Sequence, residues 1–331
     1  MKNRPPATLF IGGGLAIGVM VWLAVTGESH APIGDPADYP TEPITIVSWV
    51  SPGSPTDLLA RAIATVGPRH FGQSISVLNQ QGGGGAVAMG YLLRRPPDGH
   101  TLAINTSSGT ISMAAGHIPF TPDQFAYVSR LQLDPYLVAV RADSPFETLD
   151  ELFEFARANP GHLSVSGFGT ASGHFMAFSR LKAAAGDPDI RWIAYEGSAD
   201  ANVAVLGGHT NAVNTNFSVV REHLRAGTMR VLGVSAPVPS LPDARTYTDQ
   251  GYAVSPIHWR GVMGPGDMSP ELVDRISDLL DQTFRDPEFQ RYMETSGTLD
   301  GTMESPRAFQ AFVREELEAA RSMLTQLGLA R

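Results

Sequence analysis

Residues 44–63 read ITIVSWVSPGSPTDLLARAI, and this stretch sets the fold. Its first half, through Val50, is β-branched and aromatic, as a buried strand is. Its second half places Leu58, Leu59, Ala62, Ile63 and then Val66 at helical spacing. Between the two, Ser54 stands as an N-cap and Pro55 suits the first helical position. Asp57, three residues after Ser54, suggests a capping box. A strand that runs through a tight turn into a helix leaves backbone N–H groups at the helix start, where the helix dipole favours an anion. Ligands of α/β sheets also sit at the carboxyl ends of strands. Half of a binding site is expected here.

Strand-like and helix-like segments alternate outward from this unit. Strands are expected at 74–79, 101–105, 136–141, 163–166, 191–195, 211–214, 229–235 and 261–264. Helical patterns fall between most of them, at 86–94, 149–158, 174–185, 199–206 and 219–226. Such alternation predicts parallel sheets covered by helices. Ser269-Pro270 and Ser305-Pro306 each open an amphipathic C-terminal helix by the same Ser-cap, Pro-first device, and these helices are expected to close a domain.

The 331 residues, 43% of them hydrophobic, suffice for two modest α/β domains. A net charge of −9 argues against a nucleic-acid partner but leaves a small anionic ligand open. The absence of cysteine excludes disulfides, thiolate catalysis and Cys-ligated metals. Lys2 and Arg4 precede the apolar run LFIGGGLAIGVMVWLAV at 9–25, the layout of an export signal cleaved after Gly27. Its rival is an uncleaved anchor, for which a helix of roughly 26 Å barely spans a bilayer. Residues 28–43, polar and proline-rich, read as a linker outside the fold.

Several motifs have a bland reading beside a functional one. Gly83-x-Gly85-x-x-Ala88 loosely matches a dinucleotide fingerprint, but Asp98 comes too early to serve as its acidic partner; a close-packed glycine turn is expected, and no cofactor. GFGTASGH at 167–174 is a second strand-to-helix turn, offering hydroxyls and amides to an anion. The glycines around Ser172 are out of register for a nucleophile elbow, and the nine histidines show no metal-ligand spacing, so neither a hydrolase nor a metal site is expected. His174 reads as a hydrogen-bonding residue in the first helical turn. In the run His258-Trp259-Arg260, Trp259 suits a core position, whereas the planar fork of Arg260 suits a carboxylate.

The order of the motifs YPTEPITIVSWVSPGSPTDLLARAIA, NQQGGGGAVAMGYLLRRPPDGHTLAINTSSG, GTASGHF, YEGSADANVAVLGGH, REHLRAGTMRVLGVSA and WRGVMGP resembles the Bug-type receptors of tripartite tricarboxylate transporters, from about Tyr39 to near the end. The resemblance implies an α/β type 2 periplasmic binding protein, with a ligand cleft between two α/β domains. Domain I would comprise 44–138 plus 257–331 and domain II 139–256, with crossings near 136–141 and 253–259. By the same resemblance, Gly53, Ser54, Pro55 and Thr56, Ser107 and Ser108, and Thr170, Ala171 and Ser172 would hold a carboxylate. Thr215, Trp259 and Arg260 complete the candidate set.

The chain departs from the family at Ser54, at Glu196, where relatives carry a basic or neutral residue, at Thr215 and at Arg260. Arg260 suggests a second carboxylate, hence a dicarboxylate ligand. The expected protein is an exported, periplasmic, non-catalytic monomer that binds a small organic carboxylate and serves membrane transporter subunits. The alternative is a membrane-anchored sensor for a signalling partner.

Overall fold

A computed structural model describes residues 35–326 and residue 328. The expected export segment at 1–27 and the first part of the expected linker lie outside these residues. Among them, no helix is long and apolar enough to cross a membrane.

The chain lays down β1 (Ile44–Ser48), α1 (Pro55–Val66), α2 (Pro68–Phe71), β2 (Ile75–Asn79), α3 (Ala86–Leu92), β3 (Thr101–Thr106) and α4 (Ser107–Ala114). It then enters the long β4 (Phe125–Arg141), followed by α5 (Leu149–Ala158), β5 (Leu163–Phe168) and α6 (Gly173–Ala184). Next come β6 (Ile190–Tyr195), α7 (Ser198–Leu206), β7 (Ala212–Asn216), α8 (Phe217–Arg225) and β8 (Met229–Val234). The last elements are β9 (Ile257–Pro265), α9 (Pro270–Arg285), α10 (Pro287–Ser296), β10 (Leu299–Asp300) and α11 (Pro306–Gln326). The strands follow the order β2-β1-β3-β9-β4-β7-β5-β6, with β10 and β8 also paired to β4.

β4 joins two wings of this sheet. From Phe125 to Pro135 it pairs with β9, and from Tyr136 onward with β7 and β8. β1 is parallel to β2 and β3, and β5 is parallel to β6 and β7, as the alternation predicts. β9 and β4 run antiparallel to their neighbours, so the sheet is mixed. The reason is topological: these strands carry the chain between wings rather than within one βαβ unit.

Side-chain alternation sorts the core onto both faces of each wing. In the first wing, Ile44, Ile46 and Val262 meet Leu59, Ile63, Ile276, Leu280 and Phe289 from α1, α9 and α10. Their odd-numbered neighbours Val47, Trp49, Trp259 and Met263 meet Met89, Phe309 and Val313 from α3 and α11. In the second wing, Val138 and Val140 face α5 and α6, while Leu137 and Ala139 face α7 and α8.

Three expectations are corrected. The part of the expected linker that is described belongs to the fold. Tyr39 is buried with its hydroxyl donating to Gly99 O at 2.9 Å, and the Thr41 and Glu42 amides donate to His100 Nε2. β4 begins at Phe125 rather than at 136, because buried Gln132 and Asp134 disguise its apolar pattern. α4 was not expected. Its sequence SSGTISMA has weak helix propensity, and burial on every side, with a Thr106 cap, holds it.

Candidate functional site

The turn from β1 into α1 is fixed from below by Asp57, which is fully buried. Its Oδ2 accepts the Gly53 amide at 2.8 Å and Arg61 Nε at 2.7 Å, and its Oδ1 accepts Asn79 Nδ2 at 2.8 Å. Burial pushes this carboxyl up, but the bonds from Arg61, Gly53 and Asn79 outweigh it and hold it below the usual carboxylate range. Gly53 takes a φ of 82°, which a side chain would strain. The expected capping box does not form. Ser54 stands at the cap position, but its hydroxyl donates to Ser51 O, and Asp57 reaches Gly53 instead of the cap residue.

This turn forms one wall of a cleft of about 250 Å³ between the two wings of the sheet. Trp49 and Phe168, from opposite wings, meet there with ring centroids 6.1 Å apart. Five helices, α1, α4, α6, α7 and α8, contribute residues of their first turn or cap to its lining. Two of them are capped by side chains. Thr106 Oγ1 accepts the Ser108 amide at 3.2 Å at α4, and Ser172 Oγ accepts the Phe175 amide at 3.2 Å at α6. At α1, α7 and α8 no side chain caps the helix. Of the helices that start away from the cleft, α5, α9 and α10 each carry a side-chain cap, while α2 and α3 do not. The cleft therefore gathers positive helix ends and amide donors left for another acceptor.

Its floor is a buried polar network. Arg260 Nη1 donates to Asp134 Oδ2 at 2.7 Å and Nε to Thr56 Oγ1 at 3.4 Å, with the side chains 3% and 0% exposed. Arg260 lines the cleft as expected, but Asp134 already meets its charge. A second ligand carboxylate would therefore meet a paired guanidinium rather than a free cation. Beside it, Asn216 Nδ2 donates to Pro135 O at 3.2 Å, which turns its Oδ1 toward His174 Nε2 at 3.0 Å. His258 Nδ1 lies 2.9 Å from the Tyr136 hydroxyl. Burial pushes His174 down to about 4, against the pull of Asn216 and with help from Arg260. Burial, Arg260 and His174 push His258 well below its ordinary range. Both imidazoles are neutral at pH 7.

Gly53, Ser54, Pro55, Thr56, Ser108 and Arg260 come together in this lining, while the other candidates fall outside it. Ser107 Oγ accepts the Trp259 amide at 3.0 Å and lines a smaller cavity of about 70 Å³. Trp259 is buried against Phe309 and Phe312, its Nε1 donating to Glu316 Oε2 at 2.6 Å. Ser172 caps α6, Ala171 O accepts the Ser112 hydroxyl at 3.3 Å, and Thr170 is exposed. Thr215 is buried in β7 opposite Leu137. His174 makes the hydrogen bond expected of it and also lines the cleft. Sequence reasoning missed Trp49, Phe168, Asn216 and His258 as lining residues. All four stand at a strand end or start, a position that could have flagged them.

Comparison with known proteins bears on this geometry. Residues 59–329 match the family model described as tripartite tricarboxylate transporter family receptor. The chain is 28% identical over 267 residues to a protein of Pseudomonas sp. (strain P51) named UPF0065 protein in tcbD-tcbE intergenic region, covering 78% of this chain and 79% of that one. It is similar to the structure of the periplasmic binding protein BugD, with 25% identity, a TM-score of 0.79, and coverage of 88% of this chain and 99% of the other. MatC from Rhodopseudomonas palustris with bound malate shares 23% identity at a TM-score of 0.77, covering 86% and 99%. Rpa4515 of R. palustris with adipate shares 24% at a TM-score of 0.78, covering 88% and 99%.

Proposed function

The chain belongs to the tripartite tricarboxylate transporter receptor family, and from that premise we propose that it is a non-catalytic periplasmic receptor for a small organic carboxylate. The single observation that carries this reading is the convergence of five helix starts on one cleft, three of them without side-chain caps. A carboxylate completes those amides and sits at the positive ends of the dipoles. The two similar structures described with malate and with adipate hold dicarboxylates, which supports the ligand class.

In this reading 44–138 with 257–331 and 139–256 act as two domains that close over the ligand, flexing where β4 changes partners and where the chain returns into β9. Closure is a hinge equilibrium shifted by the ligand's differential affinity. The closed monomer then presents its cargo to the membrane subunits of a tripartite tricarboxylate-type transporter.

The test is a thermal-shift screen of the full chain against mono-, di- and tricarboxylates with their neutral amides alongside. A ligand at ~100 times its Kd stabilises the folded state by about 2.7 kcal/mol, a clear rise in Tm. The expected outcome is a shift from one or two carboxylates, none from the amides, and ligand recovered intact. A flat response to every carboxylate removes the receptor reading, and a consumed ligand replaces it with an enzyme.

A further inference from the structure

The smaller cavity, of about 70 Å³, lies where the two wings join. Tyr136, at which β4 changes partners, and Ile257, at which the chain returns into β9, both line it. Glu316 of α11 reaches it from the first wing and Arg180 of α6 from the second. The first turns of α4 and α6 divide it from the cleft: Ser107 and Gly173 face this cavity, while their neighbours Ser108 and His174 face the other. Turning one wing against the other must therefore reshape both spaces. The same helices also share an apolar seam, where Ala320 and Leu324 of α11 cluster with Ile111 of α4 and Met176 of α6.

Glu316 is the acid of this cavity. Trp259 of β9 donates Nε1–H to its Oε2 at 2.6 Å, and Ser107 of α4 also bonds to it. The other groups that act on it across packed elements are Arg130, Tyr127 and Tyr136 on β4 and Arg180 on α6. On its own helix Arg314, Glu315 and Glu318 are exposed. Of all these only Arg180 belongs to the second wing. Burial outweighs the favourable partners and pushes the carboxyl up to about 7. Packed as it is, Glu316 holds its proton more tightly than it would in water. An arrangement of the wings that hydrates the carboxyl holds the proton less tightly, so by linkage the proton favours the packed one.

We propose that Glu316 is a proton-operated latch on the hinge: neutral, it keeps α6 packed over α11, and ionised, it turns the wings apart there so that water reaches the charge. The inference rests on the two-domain reading above and adds a control that acts without ligand. Arg180 tempers the latch, because a cation carried by the moving wing offsets part of the cost of an ionised Glu316 in the packed arrangement. His174 and His258, pushed down by burial, titrate at lower pH and are not its source. In this same arrangement Trp49 and Phe168 stand close across the cleft, so mild acid also favours closure over a cargo.

The experiment is double electron–electron resonance on the full chain, which has no cysteine of its own. Spin labels go on Val87→Cys of α3 and Val203→Cys of α7, exposed positions on the two wings. Without ligand, the ratio of packed to opened spacing should fall about tenfold from pH 5 to pH 7 and level off above it. Glu316→Gln should keep the packed spacing at every pH. Arg180→Met should carry the fall to higher pH, since the tempering cation is gone. A spacing that moves with added malate or adipate but not with pH overturns the inference and leaves the hinge standing. So does a pH response that survives Glu316→Gln, or one that Arg180→Met leaves unmoved. One fixed spacing at every pH and with either acid removes the hinge itself, and the latch with it.

Discussion

Glu316 on α11 is one of a run of acids, VREELEAA, yet it is the one turned inward. Its Oε2 accepts Trp259 Nε1, and it shares the small cavity behind the cleft with Ser107, Tyr136 and Arg180. Burial pushes its carboxyl up to about 7, against the pull of Trp259, Ser107, Arg180 and Arg130. Between its ordinary pKa of 4.5 and 7, the folded chain therefore binds more protons here than the unfolded chain. Stability falls as pH rises through that window and then levels off. Glu316→Gln should remove this fall and leave the variant more stable at pH 8 by about 3 kcal/mol, with little difference near pH 4.5. Urea unfolding across pH 4.5–8 measures it, and identical profiles for the two proteins would refute it. The inward position of Glu316 was legible, since it continues the helical stripe that runs through Phe312 toward Ala320. The acid pairing Arg260 was not legible: Asp134 lies on a different strand, and only the β4–β9 register brings them together.

At the scale of elements, a cap remote from the cleft can be tested apart from ligand binding. The start of α5 carries a full capping box: Thr148 Oγ1 accepts the Glu151 amide at 3.2 Å, and Glu151 Oε2 accepts the Thr148 amide at 3.3 Å. Thr148→Ala should lower unfolding stability by about 1 kcal/mol. It should leave the Tm increment given by a bound carboxylate as it was, because α5 does not reach the cleft. A lost increment would mean that the caps remote from the cleft also shape it. α1, α5 and α9 were legible because periodicity and punctuation agree in them. α4 was illegible because serine, glycine and threonine fill it, and only its surroundings make it a helix. Which hydroxyls cap their own helix, as Ser172 does, and which stand at the cleft, as Ser108 does, depends on a fraction of a turn that sequence does not encode.

Across the whole molecule, the α/β class follows from motif order, but the mixed two-winged sheet does not, and the seam between the wings does not sit in a linker. β4 runs from Phe125 to Arg141 without a break and changes partners at Pro135–Tyr136. β7 meets β4 through Tyr136↔Asn216, Leu137↔Thr215, Val138↔Asn214 and Ala139↔Val213. A fragment spanning 139–256 keeps only the last of these pairs, so it bares the edge of β7 and strips the partner of Val234 from β8. Open, apolar strand edges recruit one another. Produced alone, that fragment should self-associate in sedimentation velocity, whereas one beginning at residue 135 should remain monodisperse; equal behaviour would show that the borrowed residues are dispensable. The second wing is thus on loan a few residues of the strand that builds the first, and it cannot be cut free, swapped or inherited separately without taking that splice along.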